Sequence, residues 1–267
     1  MKINLKRRKD ALAQIRTLMA DSKNVLLIHY SCESFYDRTD GSSPKITSIA
    51  VRKLNDGQTR SFSIHKEAEL QAIDKRKIEK SYDKLEKSML KRFYDFVHKN
   101  EDKTFVHWNM RDENFGFAAI ELRYKILGGK PYVIQDDKKQ DLARLLIDAY
   151  GVGYIEHPRL FSIVKKNKIT DTNFLSGEEE AQAFEEKNYI KLHQSTLRKV
   201  DIFANILQRV ADNHLKTNTS YWQLNGGYLF AFFNFFHTNP FIGGVIAFTS
   251  LYYLISALIN IVKTIIN

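Results

Sequence analysis

The stretch NVLLIHYS at residues 24–31 decides the fold of this chain, because it is short, apolar and β-prone, as a strand inside a sheet is. Two more strand patterns follow, KITSIAVRKL at residues 45–54 and QTRSFSIH at residues 58–65. The tripeptide Asn55-Asp56-Gly57 between them is a hairpin signal. We therefore predict three consecutive strands that form a meander.

Segments with helical periodicity precede and follow this meander in the chain. Apolar residues recur at helical spacing over residues 5–22 and 77–99, and residues 103–107 form a fourth strand pattern. Further helices are predicted at residues 112–127, 140–150, 158–166, 178–186 and 195–215. Strands first, then helices with an inserted strand, predict an α/β domain with a mixed sheet flanked by helices.

Composition excludes several classes of protein. The chain has no glycine-rich phosphate loop, no cluster of cysteine and histidine, and no Ser-His-Asp arrangement. Its one cysteine, Cys32, rules out an internal disulfide and fits a reducing compartment. The formal net charge of +10 suits either nucleic acid or an anionic membrane surface.

The C-terminal fifth of the chain has a different composition. Residues 217–262 contain no Asp, Glu, Lys or Arg, and residues 241–262 are the most apolar part. A helix formed by residues 241–262 spans about 33 Å, close to the thickness of the hydrocarbon core of a bilayer. We expect residues 217–267 to form a transmembrane helical hairpin that bends at residues 237–240; a single span after an interfacial aromatic helix is the alternative. The expected membrane-contacting residues are Trp222, Phe232, Phe233, Phe235, Phe236, Phe241, Leu251, Leu254 and Leu258.

The predicted organisation has three parts. Residues 1–23 form a basic N-terminal helix, residues 24–216 form the α/β domain, and residues 217–267 form the membrane region. The excess of lysine and arginine lies before the membrane region, and positive flanks stay in the cytoplasm. We therefore expect the cell inner membrane as the location, with residues 1–216 on its cytoplasmic side.

Acidic residues fall in a recognisable order along the predicted elements. Ser31-Cys32-Glu33 ends the first strand, Asp112 follows the fourth, and Asp201 lies on the last helix before the membrane region. This order resembles the DEDD exonucleases, which have a ribonuclease H-like fold. The resemblance implies that Glu33, Asp112 and Asp201 are catalytic residues that hold two Mg²⁺ or Mn²⁺ ions.

Two departures from that family pattern argue against catalysis. Ser31 replaces the first acid of the family, and His193 lies too far before Asp201 to orient water. We expect a nuclease-like domain that has lost its activity and needs no cofactor. An active, Mg²⁺- or Mn²⁺-dependent 3′ to 5′ exonuclease is the alternative, and the three acids are also consistent with ordinary surface residues.

Basic residues of the α/β domain suggest a partner. Lys165, Lys166, Lys168, Arg198 and Lys199 are the predicted nucleic-acid-binding residues. The organisation is similar to the two-transmembrane effectors of retron-type bacterial anti-phage defence systems. It implies a toxin-like effector that binds a nucleic acid or a reverse transcriptase–nucleic acid complex and disrupts the lipid bilayer as a homo-oligomer when released. A non-toxic membrane scaffold is a further alternative.

Overall fold

The computed structural model describes residues 3–33, 43–111, 115–227 and 240–266, with side chains of the last range given for 244, 245, 247–257 and 259. Its helices and strands, in chain order, are α1 (Leu5–Ala20), β1 (Val25–Cys32), β2 (Ile46–Lys53), β3 (Thr59–Ser63), α2 (Ile64–Leu70), α3 (Tyr82–His98), β4 (Thr104–His107), α4 (Phe117–Ile126), β5 (Lys139–Asp141), α5 (Leu142–Tyr150), α6 (Arg159–Lys166), α7 (Gly177–Glu185), α8 (Tyr189–Ala211), α9 (Tyr221–Leu224) and α10 (Pro240–Ile266).

One mixed sheet of five strands organises the molecule, in the order β3-β2-β1-β4-β5. The pairs β1 with β2 and β2 with β3 are antiparallel, and β4 runs parallel to both β1 and β5. The predicted meander and the predicted mixed sheet flanked by helices are therefore confirmed. The short strand β5 was not predicted, because its sequence Lys139-Gln140-Asp141 has no apolar pattern and starts the segment assigned to a helix.

Each face of the sheet is covered by its own core. Every residue of β1 is buried, so its side chains alternate between the two cores. Ile28 and Tyr30 pack on the side of α3, whereas Leu27 packs with residues of α1, α5 and α8. A strand covered on both faces reads as a continuous apolar run, which explains the sequence pattern of residues 24–31.

Helix α8 begins six residues earlier than predicted, at Tyr189 rather than residue 195, and ends at Ala211. The side chain of Asn188 caps its start by accepting a hydrogen bond from the Lys191 amide at 3.2 Å. Residues of α8 then pack along β1 and β2 from the carboxyl end of β1 toward its amino end. This direction determines which residues of the helix can meet the end of β1.

No helix among the described ranges is both long and apolar enough to cross a membrane. The predicted transmembrane hairpin is therefore wrong. The segment expected to begin its first span forms only the short helix α9, which is followed by Gly226 and Gly227 with φ of 84° and 101°. Such left-handed glycines end a helix rather than continue it.

The residues predicted to contact a membrane fall into two groups. Trp222, Leu251 and Leu254 are described and are exposed by 39%, 52% and 61%. Phe232, Phe233, Phe235 and Phe236 lie outside the described residues, as do the side chains of Phe241 and Leu258.

Candidate functional site

Three serines form a row across the meander, on the sheet face that α8 covers. Ser31 on β1 pairs with Ser48 on β2, and Ser48 pairs with Ser63 on β3. Paired residues of adjacent strands share one face of a sheet, so the three hydroxyls lie side by side. All three side chains are buried. We call Ser31, Ser48, Ser63 and the overlying Thr196 the serine cluster.

Helix α8 seals the serine cluster from above. The hydroxyls of Thr196 and Ser48 are 2.6 Å apart, and Thr196 also donates to the Leu192 carbonyl at 2.8 Å. One turn earlier on α8, the ring of His193 lies 5.0 Å from that of His65, which follows β3. Burial, together with the positive charge of Lys66 and His65, lowers the pKa of His193 to about 3. The cluster and its cover are therefore neutral.

A buried ion pair stands one turn further along α8. The Lys199 ammonium lies 2.7 Å from the Glu180 carboxylate, which also accepts a hydrogen bond from Ser195 at 2.8 Å. Burial lowers the pKa of His29 on β1 well below its usual value, and the positive charge of Lys199 lowers it further. The Lys199 ammonium therefore influences His29, two residues before Ser31, while its own charge is balanced by Glu180.

The structure places Glu33 and Asp201 toward opposite ends of β1. The Glu33 amide donates to the Lys45 carbonyl at 2.9 Å, at the carboxyl end of β1. Asp201 instead pairs with Arg52 at 3.0 Å, and Arg52 is opposite Leu27 in the antiparallel register. Six strand residues, or about 20 Å, separate Leu27 from Glu33.

The electrostatics along α8 agree with this separation. Burial raises the pKa of Tyr189, the first residue of α8, and the negative charges of Glu79 and Glu33 raise it further. Asp201 lies twelve residues beyond Tyr189, or about 18 Å along the helix. Glu33 and Asp201 therefore cannot share a metal ion, since ligands of one Mg²⁺ all lie about 2 Å from it.

Asp112, the other predicted ligand, lies outside the described residues. Arg111, which precedes it in the chain, pairs with Asp141, and Asp141 accepts hydrogen bonds from the amides of Asn109 at 3.1 Å and Ala143 at 2.9 Å. Asp141 thus caps the start of α5. It borders a cavity of about 350 Å³ beside His107, whose pKa burial lowers to about 4 despite the opposing charge of Asp141.

The serine cluster does not suit the Mg²⁺ or Mn²⁺ that the predicted resemblance implies. Such ions bind carboxylate-rich sites, whereas these hydroxyls are neutral. Within the described part of the chain, no group of three or more His, Cys, Asp or Glu residues could hold a metal ion.

Sequence reasoning missed the serine cluster because it depends on strand register and on the direction of α8. One signal was available: serines at residues 31, 48 and 63 all lie inside strand patterns that are otherwise apolar or β-prone. Buried hydroxyls usually have partners. Here α8 supplies one to Ser48 through Thr196, whereas the hydroxyls of Ser31 and Ser63 have none among the described residues.

The predicted nucleic-acid-binding residues divide into exposed and buried ones. Lys165, Lys166 and Lys168 are exposed at and just beyond the end of α6. Arg198 is less exposed and donates to the Thr172 carbonyl at 2.9 Å. Lys199 is only 5% exposed and is engaged by Glu180, so its prediction as a surface phosphate ligand is corrected. The amphipathic pattern of α8 did not reveal that a lysine lies on its inner face.

A larger groove lies on the other face of the sheet, between β3 and the end of α3. It has a volume of about 640 Å³. Lys53 and Arg60 lie along its sheet side, and Arg92 and Lys99 lie along its helix side. Phe62 and Phe96 belong to the same lining. We call this feature the basic groove; sequence reasoning missed it because its cations come from separate elements.

No protein family and no curated protein matches this sequence. Among solved structures, the chain is similar to the family B DNA polymerase from the hyperthermophilic archaeon Pyrobaculum calidifontis, at 14% identity and a TM-score of 0.45. The match covers 72% of this chain and 26% of the polymerase chain. The predicted combination of a DEDD exonuclease-like domain with a membrane segment, similar to a two-transmembrane effector, is wrong on the membrane segment, since no described helix can cross a bilayer.

Proposed function

We propose that this chain is a non-catalytic nucleic-acid-binding protein with a ribonuclease H-like arrangement of its sheet. The antiparallel meander of β1, β2 and β3, continued by the parallel strands β4 and β5, supports that arrangement. A fold of this kind does not determine its function, so the proposal depends on the site.

The observation that carries the proposal is a neutral residue, Ser31, at the position on β1 where the resemblance requires a carboxylate. Ser31 is buried, and the charge of the buried Lys199 is balanced by Glu180 at 2.7 Å. Two-metal phosphoryl chemistry needs ligands that hold the ions and stabilise the attacking and leaving oxygens. Asp201, which would complete such a set, is engaged by Arg52 on another part of the sheet.

Positive surface charge supports the proposed binding of nucleic acid. The formal net charge is +10, and Lys165, Lys166 and Lys168 present exposed ammonium groups near the partly exposed Arg198. Contacts between such cations and phosphates supply most sequence-independent affinity for nucleic acid, through release of counterions. The predicted nucleoprotein partner, homo-oligomer and inner-membrane location stay predictions.

A binding and cleavage assay on the full chain tests the proposal. A labelled single strand of about 20 nucleotides, as DNA or RNA, should bind, and its affinity should fall steeply between about 50 and 200 mM salt. No shortened products should form with Mg²⁺ or Mn²⁺. Absence of binding contradicts the proposal. Metal-dependent cleavage that Glu33→Gln abolishes would instead favour the exonuclease.

A further inference from the structure

We infer that the basic groove holds one strand of nucleic acid, with phosphates on its cations and a base stacked on Phe96. The inference rests on the proposed function and names where on the molecule the strand lies. The groove is separate from the serine cluster. Val51 and Phe62 of the groove belong to the core on the α3 face, whereas Ser48 contacts Thr196 of α8 on the opposite face.

The groove carries more positive than negative charge, and two of its four cations have no described ion-pair partner. Arg60 and Lys99 are exposed, and neither has an ion-pair partner within the described part of the chain. Lys53 contacts the Gln58 amide oxygen at 3.2 Å and lies 3.9 Å from Asp56. Cations that converge on a concave surface concentrate the field and attract polyanions.

The acidic residues near the groove already have ion-pair partners. Asp95, the one acidic residue of its lining, pairs with Lys91 at 2.7 Å on the same helix. Glu67 pairs with Arg92 at 3.1 Å and accepts a hydrogen bond from Ser88 at 2.6 Å. The side chain of Arg92 is still 43% exposed, so its remaining donors can reach a phosphate.

Phe96 supplies an aromatic platform between the cations. Its ring is partly buried and packs at 5.9 Å from the ring of Phe62, which is itself only 5% exposed. Phe62 also packs edge to face on Phe93, at 5.7 Å. Phe96 is thus supported from below by fixed rings while part of its surface borders the groove. Cations flanking an aromatic face are the combination by which proteins bind single strands without reading sequence.

An extended acidic peptide is the competing occupant, because β3 is the edge strand of the described sheet and such edges accept added strands. The groove favours nucleic acid for two reasons. Its cations are spread over strand and helix rather than along β3 alone, and a supported phenyl ring in a charged groove matches a base better than a carboxylate.

Charge reversal in the groove tests the inference in the full chain. Arg60→Glu with Lys99→Glu should weaken binding of the labelled single strand by about tenfold or more. Lys125→Glu with Lys130→Glu changes the net charge equally at exposed sites outside the groove lining and should weaken it by less than about threefold. Circular dichroism melting checks that all variants remain folded.

The outcomes separate the inference from the proposed function. If the wild-type chain binds and the two double variants lose affinity equally, the groove is not the site, although nucleic-acid binding stands. If the wild-type chain does not bind, the proposed function itself fails. If poly-glutamate displaces the strand as effectively as unlabelled DNA or RNA does, the groove binds acidic protein and the inference is overturned.

Stacking is tested separately from charge. Phe96→Leu removes the aromatic face and should weaken binding by about fivefold or more with little change in its salt dependence, whereas Phe96→Tyr should retain affinity. Equal affinity of the leucine, tyrosine and wild-type proteins would contradict the stacked base.

Discussion

On the face of the sheet that α8 covers, Ser31, Ser48 and Ser63 are sealed under a helix, whereas on the α3 face Arg60 and Lys99 border an open groove. Both faces are built largely from the same two strands. Residues of β2 and β3 alternate, so one set of side chains enters the serine cluster and the next set lines the basic groove.

The difference between these regions shows that one sheet can bury neutral polar groups on one face and expose charged groups on the other. Polar groups in the serine cluster are neutral, because burying a charge without a partner is costly. The charge that is buried nearby, Lys199, is paired with Glu180. Two cations without a described ion-pair partner, Arg60 and Lys99, border the groove, where water and anions can reach them. The nucleic-acid strand that we infer therefore lies on the open face, and the sealed face contributes to stability.

The largest expected effect comes from breaking the buried ion pair. Lys199→Met keeps most of the side-chain length but leaves Glu180 buried without its cation, which should lower the free energy of unfolding by about 3–5 kcal/mol. Urea denaturation measures the change. Lys199→Met combined with Glu180→Gln should recover most of the loss; a single variant as stable as the wild type would show that the α8 face is not sealed.

A smaller effect concerns acid sensitivity of the sealed face. The pKa of His193 is about 3 in the folded state because of burial, below the ordinary value of 6.5. The unfolded chain therefore binds a proton that the folded chain does not, so stability falls as pH drops from about 6.5 toward 3. At pH 5 this group alone should lower the free energy of unfolding by about 2 kcal/mol relative to pH 7.

Denaturation of His193→Gln at both pH values checks this prediction. Between pH 7 and pH 5, this variant should lose about 2 kcal/mol less free energy of unfolding than the wild-type protein does. His98→Gln is the matched control at a histidine whose side chain is 65% exposed, and it should leave the loss unchanged. An undiminished loss in His193→Gln would mean that protons reach His193 in the folded protein.

A third prediction concerns the serine cluster itself. Ser48→Ala removes the 2.6 Å contact with Thr196 and should destabilise the protein by about 1–2 kcal/mol. The control is Ser61→Ala on β3, where the hydroxyl accepts a hydrogen bond from the exposed Lys66 at 3.1 Å. That variant should differ from the wild type by less than about 0.5 kcal/mol. Similar changes in the free energy of unfolding for the two variants would contradict the distinction between the buried Ser48 hydroxyl and the less buried Ser61 hydroxyl.

The smallest expected effect is that of Asp201. Its carboxylate is 46% exposed and pairs with Arg52 on the surface, so Asp201→Asn should change stability by less than about 1 kcal/mol. A double-mutant cycle with Arg52→Gln measures the pair directly. Mg²⁺ should not raise the melting temperature of either protein; a Mg²⁺-dependent increase that Asp201→Asn abolishes would restore Asp201 as a metal ligand.

Sequence reasoning recovered the local elements better than the site. The strands, the hairpin at Asn55-Asp56-Gly57 and most helices follow from alternation, helical spacing and turn chemistry, which act over a few residues. Helix α8 was placed six residues late because Asn188 was not recognised as its cap. That shift matters, since Asp201 then appeared closer to the start of the helix.

The amino-acid sequence by itself determined the mixed α/β sheet and the excess of positive charge. Only the tertiary structure decided that Asp201 lies with Arg52, that Lys199 is buried with Glu180, and that cations from separate elements share a groove. The physical reason is distance along the chain. Strand register and helix direction bring together residues more than a hundred positions apart, and they are determined by packing of the two cores rather than by neighbouring residues.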